Sequence, residues 1–142
     1  PLPGGGKMKM QPVFVGDVAD AVANAVADNS AEGVYELGGP REYTYRELMQ
    51  FLLATIDRPR FLVPVPMFAM SLLGLAGEIA GMLPFVKPFL TRDQVTMLAE
   101  DNVVAPDMRG LPDLGITPET VEAIAPSYLV RYRRYGQFHE TA

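Results

Sequence analysis

Near the start of the chain, the apolar positions change from a β-type run to a helical period. A β-branched run around residues 13–15 predicts a strand, and Asp17 is placed to cap a helix over residues 18–28. A second strand is predicted over residues 34–37, before turn residues at 38–40. If both strands share one sheet, they are parallel with a right-handed crossover. Because a buried parallel strand needs neighbours on both sides, the chain is expected to be the C-terminal piece of a larger α/β protein.

The rest of the chain is predicted to be mainly helical. Two capping boxes, at residues 44–47 and 91–94, each pair a threonine with a Glu or Gln three positions later, which is typical of a helix start. The Thr-Pro-Glu sequence at residues 117–119 has the cap, proline and acid of another helix start. Helices are therefore expected over residues 44–56, 67–82 and 91–100, from 117 onward, and over residues 127–135.

The stretch 67–82 is the most hydrophobic part of the chain and carries no charge before Glu78. A membrane span needs about 20 apolar residues, and this stretch is too short, with prolines before it. A buried or interfacial helix is therefore favoured over a span. Apolar residues cover more than one of its sides, so residues 61–90 are the best candidate for a surface that contacts a protein or a membrane.

Composition excludes several classes of function. With 142 residues, of which 49% are hydrophobic and 20% charged, the chain has enough apolar residues for one core. Its 17 acids against 12 bases, a net charge of −5, argue against a nucleic-acid surface. The chain has no cysteine, which fits a reducing compartment, and one histidine, His139 near the end. A thiolate site, a histidine metal site and a Ser-His-Asp triad are therefore not expected.

Few residues suggest chemistry of their own. The segment 4–7 lacks the Ser or Thr and the spacing of a phosphate-binding loop. Asp17 is more plausible as a helix cap than as a catalytic acid. Arg41 and Arg92 lie beside a turn and a helix start, where they are suited to grip an anionic substrate group, although a surface ion pair is the simpler interpretation of each. No catalytic residue and no metal site is predicted.

Six segments together resemble one family. They are Gln-Pro-Val-Phe-Val-Gly-Asp-Val-Ala (11–19), Tyr-Glu-Leu-Gly-Gly-Pro (35–40), Thr-Tyr-Arg-Glu-Leu (44–48), Leu-Thr-Arg-Asp-Gln-Val (90–95), Asp-Asn-Val-Val (101–104) and Leu-Gly-Ile-Thr-Pro (114–118). Throughout its length the chain resembles the C-terminal half of the atypical short-chain dehydrogenase/reductase group similar to the 39-kDa accessory subunit of respiratory complex I. The first segment is shared with sugar-nucleotide epimerases and dehydratases. The fourth and fifth segments are typical of a much smaller group of proteins.

The resemblance implies an α/β fold, the C-terminal part of an NAD(P)-binding Rossmann-like protein that is mostly helical with a few short strands. Residues 1–40 would be the last strand-helix-strand unit of the sheet, and residues 41–142 a helical domain facing substrate or partner. NAD(P) is implied for the full-length parent, with Pro12, Val13 and Val15 near its nicotinamide, but no cofactor is expected on the isolated fragment. The chain has neither the glycine fingerprint nor a Tyr-x-x-x-Lys pair, so the fragment is not expected to be active, and whether the parent is an enzyme stays open.

The resemblance favours a structural, accessory or assembly role with NADH:ubiquinone oxidoreductase. Two alternatives stay open: the substrate-binding domain of an active NAD(P)-dependent oxidoreductase or nucleotide-sugar epimerase/dehydratase, and a peripheral membrane-binding module. The expected partners are a preceding Rossmann domain and either complex I subunits or a membrane surface contacted through residues 61–90. The expected location is cytoplasmic, including the cytoplasmic face of the membrane.

Overall fold

The computed structural model describes residues 1–28, 31–82, 85, 87, 90–133 and 136. Within that part of the chain the fold is α/β, about half helical with a few short strands. Its helices are α1 (Val15–Ala27), α2 (Tyr45–Thr55), α3 (Met67–Gly81), α4 (Arg92–Met97) and α5 (Val121–Leu129). Its strands are β1 (Leu2–Pro3), β2 (Lys9–Met10), β3 (Tyr43–Thr44) and β4 (Pro64–Val65). The predicted α/β class with a few short strands is confirmed at this level, whereas a Rossmann-like sheet stays a prediction.

The strands form two separate pairs that fasten the loops between the helices. β1 pairs with β4 in parallel, with Leu2 opposite Pro64. β2 pairs with β3 antiparallel, with Lys9 opposite Thr44, and Met10 also bridges to Asn102. Leu2 is fully buried, so the first strand is part of the core and not a loose end.

The two predicted strands at residues 13–15 and 34–37 are wrong, since neither segment is a strand in the structure. In the second segment Glu36 N–H donates to the Arg109 carbonyl, and just before the first segment Gln11 N–H donates to the Asn102 carbonyl. The Gln11 and Glu36 side chains accept the N–H groups of Val104 and Ala105 at 2.9 and 2.8 Å. These single bonds replace a strand ladder, because a ladder needs a continuous extended neighbour.

The predicted start of α1 is also wrong, because the helix begins at Val15 and not at Val18. Phe14 is its N-cap residue and makes no side-chain cap, while Asp17 lies inside the first turn and is buried. Asp17 Oδ2 instead accepts the backbone N–H of Glu119 at 2.8 Å. The carboxylate therefore caps a distant segment, which local sequence signals cannot show.

The predicted start of α5 is wrong by three residues, since the predicted cap is Thr117 and the observed cap is Thr120. The Thr120 hydroxyl accepts the N–H of Ala123 and caps a helix that begins at Val121. The bond from Glu119 N–H to Asp17 holds the preceding residues outside the helix. The predicted helix over residues 127–135 is replaced by the end of α5 and a 3-10 turn at Val130–Tyr132, with residue 135 outside the described residues.

The two capping boxes are confirmed. The Thr44 hydroxyl accepts Glu47 N–H at 3.2 Å while the Glu47 carboxylate accepts Thr44 N–H at 2.7 Å. Thr91 and Gln94 exchange the same pair of bonds at the start of α4, which ends at Met97 and so is shorter than predicted. Both boxes involve residues only three positions apart, which is why sequence spacing reveals them.

Helices α3 and α4 approach closely through small residues. Gly74 and Gly77 are buried on α3 beside residues 90–92. A Cβ atom at Gly77 would collide with the Leu90 carbonyl oxygen, so only glycine fits there. The face of α3 that contacts α4 is therefore made of small residues and Met70, and the large side chains lie on the rest of its surface.

Candidate functional site

An apolar groove of about 350 Å³ lies between the segment that leads into α1 and the helices α2 and α5. Pro12, Val13 and Val15 line one wall, Leu52 comes from α2, and residues 119–129 supply the opposite wall. We call this space the α1–α5 groove. It brings together all three residues that the sequence placed near a nicotinamide.

Two contacts between remote residues position the walls of the α1–α5 groove. Gly39 is buried against Pro12, where a Cβ atom would collide with the Pro12 carbonyl oxygen. Asp17, only 6% exposed, accepts Glu119 N–H and so ties the first turn of α1 to the residues before α5. The groove therefore depends on a glycine and a carboxylate that do not line it.

Nine of the twelve lining residues of the α1–α5 groove are apolar, and the polar ones are Glu119, Thr120 and Tyr128. Such a lining favours the face of a flat ring or an aliphatic group and offers few polar groups to orient it. The lining contains no histidine, cysteine or lysine. The arrangement can bind and shield an apolar group, and nothing in it points to a proton-transfer step.

The family resemblance implied a nicotinamide near Pro12, Val13 and Val15, and that role stays a prediction. The opposite wall of the groove, which includes Val121 and Ile124, was not anticipated. Apolar spacing on a helix is the signal for packing, and a groove lining gives the same signal.

Arg41, a predicted anion-binding residue, lies next to a carboxylate. Its Nη1 is 3.6 Å from Glu122 Oε1, and its guanidinium lies 4.8 Å from the centre of the Tyr43 ring. The buried Tyr43 hydroxyl donates to both Glu122 carboxylate oxygens, at 2.9 and 2.8 Å. Burial and this hydrogen bond raise the pKa of Tyr43, and the hydrogen bond from Tyr43 lowers the pKa of Glu122. The cluster joins β3 to the first turn of α5.

Arg92, the other predicted anion-binding residue, also faces a carboxylate. Its Nε is 3.0 Å from Glu78 Oε2, and its backbone N–H donates to Glu78 Oε1 at 2.9 Å. The bond from the Arg92 backbone lowers the pKa of Glu78. The structure thus brings Arg92 to α3 and Arg41 to α5, and anion binding by either residue stays a prediction.

Helices α1 and α3 each expose a row of apolar side chains along one side. The α1 stripe is Val15, Val22 and Val26, which are 71%, 57% and 79% exposed. The α3 stripe is Phe68, Leu72, Leu75 and Ile79, of which Leu75, at 40%, is the least exposed. In each stripe the spacing of three, four or seven residues puts the side chains on one side of the helix. Parts of the predicted surface 61–90 lie outside the described residues.

Within the part of the chain that the structure describes, no helix has the length and apolarity to cross a bilayer. The same residues contain no cluster of three His, Cys, Asp or Glu side chains that could hold a metal ion. The surface features described so far are the α1–α5 groove, the two stripes, and Arg41 and Arg92 with their carboxylate partners.

Comparison with known proteins identifies close similarity to one kind of subunit. No family model matches the chain. It is 33% identical over 132 residues to NADH dehydrogenase (ubiquinone) 1 alpha subcomplex subunit 9, mitochondrial, of Mus musculus, covering 92% of this chain and 34% of that protein. The Arabidopsis thaliana protein of the same name is 32% identical over 96% of this chain and 35% of its own length.

A fungal relative is similar in the same way. The NADH-ubiquinone oxidoreductase 40 kDa subunit, mitochondrial, of Neurospora crassa is 32% identical over 88% of this chain and 32% of its own length. The chain thus spans about a third of the length of the relatives it matches. The predicted resemblance to the 39-kDa-type subunit of complex I is confirmed. These relatives are named as mitochondrial proteins, so the comparison does not support the predicted cytoplasmic location.

Proposed function

We propose that this protein, which is similar over about nine-tenths of its own length to 39-kDa-type complex I subunits, has an accessory or assembly role with NADH:ubiquinone oxidoreductase. The observation that carries the proposal is the identity of 32–33% to the animal, plant and fungal subunits. The protein would act by holding subunits together and not by turnover.

Co-migration with complex I tests this role. We expect the tagged full-length protein to run with NADH dehydrogenase activity on a native gel, and its deletion to reduce the assembled complex. Migration of the protein away from complex I, with normal assembly after deletion, would contradict the proposal. The same purified protein, assayed for NADH or NADPH oxidation with candidate substrates, distinguishes an active oxidoreductase from a subunit that only binds.

We also propose that the chain completes an NAD(P)-binding, Rossmann-like unit, with a preceding domain as its partner. The relatives are about three times as long as the matched region, and the α1 stripe is an apolar helix face of the kind that packs on a sheet. The α1–α5 groove can take the nicotinamide end of such a cofactor, because its apolar lining suits one face of a flat ring. The groove residues supply nothing for the pyrophosphate, which the preceding part would have to hold.

A charge placed in the groove tests this cofactor proposal. In the full-length protein, Val13→Asp should weaken NADH binding by about tenfold or more, because a carboxylate would be buried beside the ring. Val34→Asp is the matched control, since Val34 is 68% exposed and outside the groove lining. Fluorescence titration with NADH measures both. Equal affinities for Val13→Asp and the control would remove the groove from the cofactor site.

The α3 stripe favours a second candidate role, contact with a membrane surface. Phe68, Leu72 and Ile79 are 71%, 63% and 57% exposed, and a helix with such a face can lie in the plane of a bilayer interface. Leu72→Glu should reduce flotation of the protein with liposomes at low salt, while the control Val34→Glu should not. Absence of wild-type flotation at low salt would end this proposal.

A further inference from the structure

A second groove, of about 550 Å³, differs from the rest of the protein in its charge. It lies along α2 and the turn that follows this helix, and Arg46, Arg58 and Arg60 line it together with a single acid, Asp57. Three positive charges against one negative give this lining a balance of +2, whereas the whole chain has a net charge of −5. We call it the arginine groove. A local positive balance in an acidic protein favours an anionic ligand.

These arginines differ from Arg41 and Arg92 in what they contact. Arg41 and Arg92 each face a carboxylate. Among the described residues, neither Arg58 nor Arg60 takes part in an ion pair or a side-chain hydrogen bond. Arg46 is held in place by a hydrogen bond from its Nη2 to the Gly5 carbonyl at 3.0 Å, which uses none of its charge on an acid. Their charge therefore remains available to a ligand.

The backbone at the end of α2 places the arginines around one space. Asp57 has a positive φ of 51°, which ends the helix and turns the chain, and Arg58 N–H bonds to the Leu53 carbonyl. Pro59 then restricts the backbone between Arg58 and Arg60. Phe61, 99% exposed, forms an apolar edge of the same groove.

We propose that the arginine groove binds a phosphate group. Guanidinium groups match phosphate oxygens with paired hydrogen bonds, and several of them around one cavity are typical of phosphate recognition. The phosphate belongs either to a soluble phosphate compound or to the headgroup of an anionic phospholipid, with Phe61 contacting the acyl region in the second case. The site is independent of the complex I role, so a failure of one leaves the other standing.

The competing explanation is that the arginines only complement the carbonyl end of α2. Cations are stabilising near the last turn of a helix, and Arg133 Nε already donates to the Thr55 carbonyl at 3.2 Å. This explanation predicts lower helix stability without Arg58 and Arg60, but no binding of phosphate. Binding measurements therefore separate the two.

Isothermal titration with pyrophosphate at low salt tests the groove directly. The double variant Arg58→Gln/Arg60→Gln should bind pyrophosphate at least about tenfold more weakly than wild type, since it loses two charge-assisted contacts. The control Lys7→Gln/Arg131→Gln removes the same charge from exposed residues outside the groove lining and should bind as wild type does. Circular dichroism checks that both variants are folded.

Co-sedimentation with vesicles distinguishes the source of the phosphate. Binding to phosphatidylglycerol vesicles but not to phosphatidylcholine vesicles, lost only in the groove variant, supports a phospholipid headgroup. Pyrophosphate binding that is lost in the groove variant, without vesicle binding, supports a soluble phosphate. No binding of either anion by wild type, or an equal loss in groove and control variants, overturns the proposal.

Discussion

Helices α1 and α3 are anchored in the same way but differ in the side chains they leave exposed. On each, a carboxylate accepts a backbone N–H at or near the start of another helix: Asp17 from Glu119 at 2.8 Å, and Glu78 from Arg92 at 2.9 Å. Asp17 is 6% exposed, whereas Glu78 is half-buried. The same interaction, a carboxylate that accepts a backbone N–H, therefore lies in the core at Asp17 and near the surface at Glu78.

The two stripes suggest different partners. The α1 stripe consists of valines, whose branched side chains pack well on the pleated face of a sheet. The α3 stripe consists of longer side chains, including Phe68 and Ile79. Large apolar side chains without a polar side opposite them are typical of a helix that contacts a partner or a membrane. Experiments can separate the anchoring of each helix from the role of its stripe.

The largest effect is expected where glycine alone fits. Gly77→Ala on α3 should destabilise the fold by about 3 kcal/mol, because the new Cβ collides with the Leu90 carbonyl oxygen and the backbone must shift. Gly39→Ala should do the same beside Pro12, at the α1–α5 groove. Urea unfolding measures both, with Ala76→Val, an exposed change on α3, as the control. A cost near that of the control would show that the helix approach is looser than described.

Removal of the buried anchor of α1 should rank next. Asp17→Ala leaves the Glu119 N–H without its acceptor and should cost about 2 kcal/mol, while Asp17→Asn keeps an acceptor oxygen and should cost less. Asp20→Ala is the matched control, since Asp20 is exposed on the same helix. Chemical denaturation gives the three values. Equal effects at residues 17 and 20 would contradict a core role for Asp17.

The stripes themselves should contribute little to the stability of the 142-residue chain. Val22→Glu and Leu72→Glu should each change the free energy of unfolding by less than about 0.5 kcal/mol, because both side chains are mainly exposed. Met70→Glu, at a position 6% exposed on α3, should be far more costly and calibrates the measurement. A large effect of Val22→Glu would mean that something already covers the α1 stripe.

The smallest expected effect is the pH dependence of the α3 anchor. The pKa of Glu78 is lowered in the folded state, chiefly by the hydrogen bond from the Arg92 backbone N–H. The ionised carboxylate therefore stabilises the fold at pH values above its ordinary pKa of 4.5. This contribution is lost as the pH falls through the lowered pKa. Glu78→Gln should therefore show a smaller drop of Tm between about pH 6 and about pH 3 than wild type. Identical pH profiles would exclude a contribution from this contact. Glu47 and Glu122, whose pKa values are also lowered, titrate in both proteins and cancel in the comparison.

Sequence reasoning succeeded where the signal is local. The capping boxes at Thr44 and Thr91 and the extent of α3 depend on residues within a few positions of one another. It failed for the strands at 13–15 and 34–37, because strand formation depends on which distant segment lies alongside. The same is true of Asp17, whose partner Glu119 could not be inferred from spacing.

The candidate site divides in the same way. The expectation that Pro12, Val13 and Val15 lie near a nicotinamide came from a family resemblance, and the groove that these residues line belongs to the structure alone. The opposite wall and the arginine groove required knowledge of packing between α2 and its neighbours. Arg58 and Arg60 could not be singled out from the sequence, since nothing local distinguishes an arginine paired with a carboxylate from one that has no such partner.

The bond between Asp17 and Glu119 joins residues 102 positions apart, and this separation has a consequence for folding kinetics. Closing so long a loop costs chain entropy before the contact is formed, so such contacts tend to form late. The contact is then absent from the folding transition state, so its removal changes the rate of unfolding and not the rate of folding. We therefore expect Asp17→Ala to accelerate unfolding in stopped-flow experiments while leaving the folding rate nearly unchanged.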